Sequence, residues 1–116
     1  MATNSVVVAQ LSDFPAAVAG VITLAAETSY ILVNNITTAS RFVLLNDTVI
    51  TGSSEQNTTL TYTGAGDMFT WSEASVAIYT ITITAATGTL FNGVNTTPLT
   101  HSIIVDSVIF SCSIVG

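Results

Sequence analysis

The sequence predicts an all-β fold, a short parallel β-helix with a small N-terminal cap; a β-sandwich or jelly roll is the alternative architecture. Three observations carry this expectation. Short β-branched runs alternate with turn clusters along most of the chain. Helix signals are confined to one segment of about two turns. Several stretches echo one another at spacings suited to the coils of a solenoid.

The elements follow in chain order. The start, MATNSVVVAQ, lacks a basic region and a long apolar core, so it does not read as a secretion leader. Residues 1–20 form an arm and cap. Within it Ser12 or Asp13 can cap a short helix, Pro15 suits its first turn and Gly20 can stop it. Residues 21–116 form the coils. Strands are expected at Val21–Leu24, Tyr30–Ile36, Phe42–Leu45, Thr48–Thr51, Thr59–Thr63, Met68–Trp71, Val76–Thr84, Leu90–Val94 and Ile103–Ile109, the last continuing toward Cys112. Gly52-Ser53-Ser54, Gly64-Ala65-Gly66-Asp67, Thr87-Gly88, Asn92-Gly93 and Pro98 mark turns between them.

The repeat favours the β-helix over the sandwich. Thr63–Thr70 aligns with Ala85–Asn92, so that Gly66 meets Gly88 and Phe69 meets Phe91 at a spacing of 22 residues. Trp71 then falls opposite Gly93. A second echo joins Thr48–Thr51, Thr80–Ile83 and Ser107–Phe110 at unequal spacings, as loop insertions on one side of a coil would produce. Residues at equivalent places in successive coils stack, which puts Phe69 over Phe91 in the lumen. The C-terminal Ser113–Gly116 is apolar and has no polar cap, so either further coils or another subunit is expected to cover that end.

Composition narrows the functional classes. The 116 residues are 49% hydrophobic and 7% charged, with a net charge of −6. The usual charged share is about 25%, so hydroxyls take over the surface here, including Thr37-Thr38, Thr58-Thr59, Thr80, Thr82 and Thr84. Arg41 is the lone residue among Lys and Arg. Nucleic-acid binding and adhesion to an anionic membrane both need several cations, so neither is expected. No apolar run reaches the roughly 20 residues of a membrane span. The single Cys112 excludes an intrachain disulfide and is expected to be a small core residue. His101 is the one histidine and has no neighbouring metal-binding partners, so no metal or other cofactor is expected.

The strings LSDFPAAVAGVITLAAETSYIL, RFVLLNDTVITGS, LTYTGAGDMFT, ITITAATGTLFNG and VIFSC resemble the β-helix segments of phage tail-fibre and tailspike-like proteins. Pectate-lyase-like solenoids share the same layout. The resemblance runs from Leu11 to Cys112 and implies a right-handed parallel β-helix, commonly trimeric, in a virion appendage. It further implies partners among other virion proteins and, for host attachment, a surface glycan.

Since β-helix spikes often cleave glycans, the carboxylates matter. Asp47 and Asp106 precede similar Thr-Val-Ile and Ser-Val-Ile runs, which puts them at equivalent places and makes them the candidate pair; turn chemistry is the competing reading of each. Asp67 and Glu73 are further acids, Asp67 in a glycine turn. No residue is assigned a catalytic role. Trp71, Tyr62 and Tyr79 are the candidate contacts for a partner, with ordinary strand packing as the alternative. Asn35, Asn46, Asn57 and Asn95 fit the glycosylation pattern, which arises readily in so Asn- and Thr-rich a chain. The expected function is a self-assembling virion structural protein, not an enzyme. A carbohydrate-binding or carbohydrate-cleaving β-helix and a capsid decoration protein are the alternatives.

Overall fold

The computed structural model describes residues 4–53, 58–85, 90–96 and 101–112, the last two by backbone alone. It is a parallel β-solenoid of about four turns, nearly all strand. The strands are β1 (Asn4–Val8), β2 (Val21–Leu24), β3 (Thr28–Leu32), β4 (Ile36–Thr38), β5 (Arg41–Leu44), β6 (Thr48–Gly52), β7 (Thr59–Tyr62), β8 (Phe69–Ser72), β9 (Val76–Ala85), β10 (Phe91–Val94) and β11 (Ile103–Cys112). One 3-10 turn, Leu11–Asp13, is the helical element.

The strands stack in three parallel rows. The first holds β1, β3, β6 and the leading halves of β9 and β11. The second holds β4, β7 and the trailing halves of β9 and β11. The third holds β2, β5, β8 and β10. In the two earlier coils a loop separates the first and second rows. In β9 and β11 a single residue makes that corner, Thr80 at φ 53° and Ser107 at φ 58°. Bending a strand through one left-handed residue keeps pairing on both sides of the bend.

Alternation along each strand sends one set of side chains into the lumen. In the third row Ile22, Phe42, Phe69 and Phe91 fall in register. The Phe42 and Phe69 rings stack at 5.5 Å, and Phe69 and Phe91 at 5.7 Å. In the first row Tyr30, Ile50 and Ile78 stack, and in the second Ile36, Leu60 and Ile83. All of these except Phe91 are buried. Each fully buried large side chain contributes about 1.5–3 kcal/mol, so the lumen rows dominate the stability.

The N-terminal end is closed. Phe14 is buried and sets its ring 5.3 Å from Phe42, edge-on, and 5.6 Å from Tyr30. The 3-10 turn packs against β1 and β4. The Asp13 carboxylate accepts the Ala9 and Gln10 N–H groups at 2.9 and 3.2 Å, which fixes the turn. Val18 pairs antiparallel with Val21 and covers the start of β2.

The expected spacing is observed for the aromatic echo: Phe91 pairs with Phe69, and Gly93 with Trp71. The 27-residue echo also holds, with Val108 on Ile81 and Ile109 on Thr82. The longer echo fails, because Thr48–Thr51 pairs with Val76–Tyr79 and not with Thr80–Ile83. Coils vary from 20 residues (Val21 to Arg41) to 28 (Thr48 to Val76), and that variation hid the true register. The single strand expected over Tyr30–Ile36 is two, β3 and β4, since the corner falls at residues 33–35. Strand β1 lies inside the segment read as arm and cap. Thr28, Thr38, Thr48 and Thr58 are buried, which corrects the expectation that Thr38 and Thr58 cover the surface. The Gly88 end of the aromatic echo, the Thr87-Gly88 and Pro98 turns, Ser54 and Ser113–Gly116 lie outside the described residues, as does the Cys112 side chain.

Candidate functional site

The corners of the coils are fastened by side-chain amides and hydroxyls. Asn46 Oδ1 accepts the Ser75 N–H at 2.8 Å, and Asn35 Oδ1 accepts the Thr59 N–H at 2.8 Å. Asn95 is bidentate on Ala74, accepting its N–H at 2.8 Å and donating to its carbonyl at 3.1 Å. Each bond joins one coil to the next. These three asparagines therefore satisfy backbone groups that strand pairing leaves open at the corners. Asn57 lies outside the described residues. The threonines act likewise: Thr48 Oγ1 donates to Leu45 O at 2.7 Å, and Thr28 Oγ1 to Ala26 O at 2.9 Å. Sequence reasoning read the asparagines as surface pattern. Their recurrence just before or after a strand was the available signal.

The carboxylates are divided among these corners. Asp47 sits at φ 63° ahead of β6, and its N–H bonds Ser75 O at 2.7 Å. Asp106 lies within β11, exposed, and pairs with Tyr79, which in turn pairs with Thr51. The two are thus not at equivalent places: Asp106 stands two strands across and about four residues along from Asp47. At ~4.8 Å per strand and ~3.3 Å per residue their backbones are on the order of 15 Å apart. A hydrolytic pair needs roughly 5–9.5 Å, so the register does not bring these acids together. Asp67 Oδ2 accepts from Asn92 Nδ2 at 2.8 Å, and Asp67 O accepts from Arg41 Nε at 3.1 Å. Glu73 accepts from Thr96 through both N–H and hydroxyl. These are corner fastenings as well. Among the described residues no three acidic, histidine or cysteine side chains cluster in a way that would hold a metal ion.

The three aromatic candidates part company. Tyr62 is buried in the lumen wall, which removes it as a partner contact: its place on β7 points inward, opposite Thr38 and Ala85. Trp71 is half-buried, edge-on to Phe91 at 6.2 Å, and its indole lies on Gly93. Its ring serves coil packing. Tyr79 is half-buried on the outer side of the first row. There it borders a shallow groove of about 420 Å³ with Ser29, Asp47, Val49, Ala77 and Ile104.

The feature that sequence reasoning did not locate among these residues is the C-terminal end face. In every row, the last lumen residue is uncovered. Val105 continues Tyr30, Ile50 and Ile78 but is 42% exposed; Ile103 continues Thr48 and Val76 but is 44% exposed. Val108, Phe110 and Phe91 end the other rows, half-buried. Phe110 and Phe91 meet edge to face at 5.8 Å. Among the described residues β11 is paired on one side, by β9.

Comparison with known proteins finds no matching family model, no matching curated protein and no matching solved structure. What stands is the class: an all-β solenoid of stacked parallel strands.

Proposed function

We propose that this chain is a structural β-solenoid module that acts by presenting its faces and by self-association, as a component of a virion fibre, spike or capsid fibre. The observation that supports assembly is the uncovered lumen row of the last coil, where Ile103, Val105 and Phe110 continue buried stacks into solvent. A long apolar edge strand left open is a template for pairing with another chain. The virion setting rests on the resemblance of the repeats to phage tail-fibre solenoids. Cleavage of a glycan is not favoured, because the candidate acids lie in separate corners.

The test is the solution mass of the 116-residue chain by light scattering after size exclusion. The expected result is a multiple of 12.0 kDa, stable over a wide concentration range. A monomer throughout that range would overturn the assembling reading.

A further inference from the structure

The two ends of the solenoid differ in kind, and that difference selects a mode of association. At the N-terminal end Val8, Ile22, Leu24 and Ile36 are buried, Phe14 plugs the lumen, and the Leu11–Asp13 turn overlies β1 and β4. At the C-terminal end the corresponding row members are open. Head-to-tail stacking would have to seat the open end on the plugged one. Its strand edges are covered there by the turn and by Val18, so that contact gains little pairing. The one apolar face that seeks cover is the same face on every copy.

Resting on the assembling reading above, we propose that two copies join C-terminal end to C-terminal end about a twofold axis, with β11 of one copy against the end face of the other. A contact made by the same patch on both molecules is isologous and closes at two. The molecule measures 33 × 30 × 28 Å, so an end face is on the scale of the ~800 Å² that each partner gives to a specific interface. Few charges oppose the contact: along Ile103–Phe110 Asp106 alone is ionic. It faces outward, in line with Tyr79 and away from the lumen row. The trimer of the resembled fibres would instead join flanks and leave this end open.

The experiment compares the native chain with Val105→Lys, Ile103→Lys and a flank control, Val7→Lys, by light scattering and far-ultraviolet circular dichroism. Val105 and Ile103 are already exposed in the single copy, so a lysine there leaves the coil folded. The expected result is a mass of twice 12.0 kDa for the native chain and Val7→Lys. Both end-face variants should keep the native spectrum and weaken association at least tenfold. A trimer, or a dimer unmoved by both end-face lysines, overturns the twofold end-face contact while self-assembly stands. A native monomer overturns both.

Discussion

Gly93 is held small by one neighbour. Trp71 pairs with it across the coil, and its indole occupies the space a Cβ would need. Gly93→Ala must therefore push the ring away from Phe91, at a cost of about 1–3 kcal/mol typical of overpacking. Trp71 is the chain's one tryptophan, so the displacement is directly visible. The expected outcome is a red-shifted emission and a lower thermal midpoint, with both effects lost when Gly93→Ala is made in a Trp71→Ala background. Unchanged emission would mean the ring does not rest on the glycine. Asn46 supports a second residue-scale expectation. Its amide oxygen is the acceptor for Ser75 N–H, and Asn46→Ala strands that donor at a partly wet corner. A loss of about 1 kcal/mol in denaturant unfolding is expected, with Asn46→Asp, which keeps the acceptor, losing less.

Strand β9 shows what a single residue does to an element. Its bend at Thr80 carries the chain from the first row to the second, and the Thr80 carbonyl comes down on Gly52 of the coil before. A β-branched residue at positive φ is strained by roughly 1–2 kcal/mol. Thr80→Gly relieves this and offsets the entropy it adds to the unfolded chain, so the thermal midpoint should hold or rise. Thr82→Gly, two residues on in extended backbone, should lower it by about 1 kcal/mol equivalent. Equal losses at both sites would show that the bend is not strained. The same bend explains where sequence reading succeeded and failed. Phe69 and Phe91 were legible because a bulky apolar pair after a glycine turn survives as a recognisable echo. The corner at Thr80 was not, since no residue-type signal marks a threonine forced to positive φ, and the Thr48 echo was misaligned through it. That misalignment placed Asp47 and Asp106 together. Strand β1 escaped because Val6-Val7-Val8 shows no alternation. Tyr62 was misjudged because a tyrosine in a Thr-rich strand reads equally as platform and as lumen.

At the scale of the whole molecule, stability is a sum of coil-to-coil contacts, and the ends decide solubility. The lumen gives a gradient. Phe69 is sealed between Phe42 and Phe91, so Phe69→Ala should cost about 3–5 kcal/mol, while Phe91→Ala at the open end should cost clearly less in the single copy. The cap gives the sharper expectation. Phe14 is the plug that makes the N-terminal end unlike the C-terminal one. Phe14→Ala uncovers Phe42 and Tyr30 and creates a second apolar end that the open end of another copy can meet. Contacts between unlike ends do not close, so they propagate. The variant, at temperatures where circular dichroism shows it folded, should form species above the dimer whose mass grows with concentration. Phe14→Leu, which refills most of the plug, should hold the native mass, and Phe14→Ala combined with Val105→Lys should not grow, because its one strongly apolar docking face is charged. A Phe14→Ala protein that keeps the native mass at every concentration would show that the plug does not govern association, and that β1 and the Leu11–Asp13 turn close the N-terminal end by themselves.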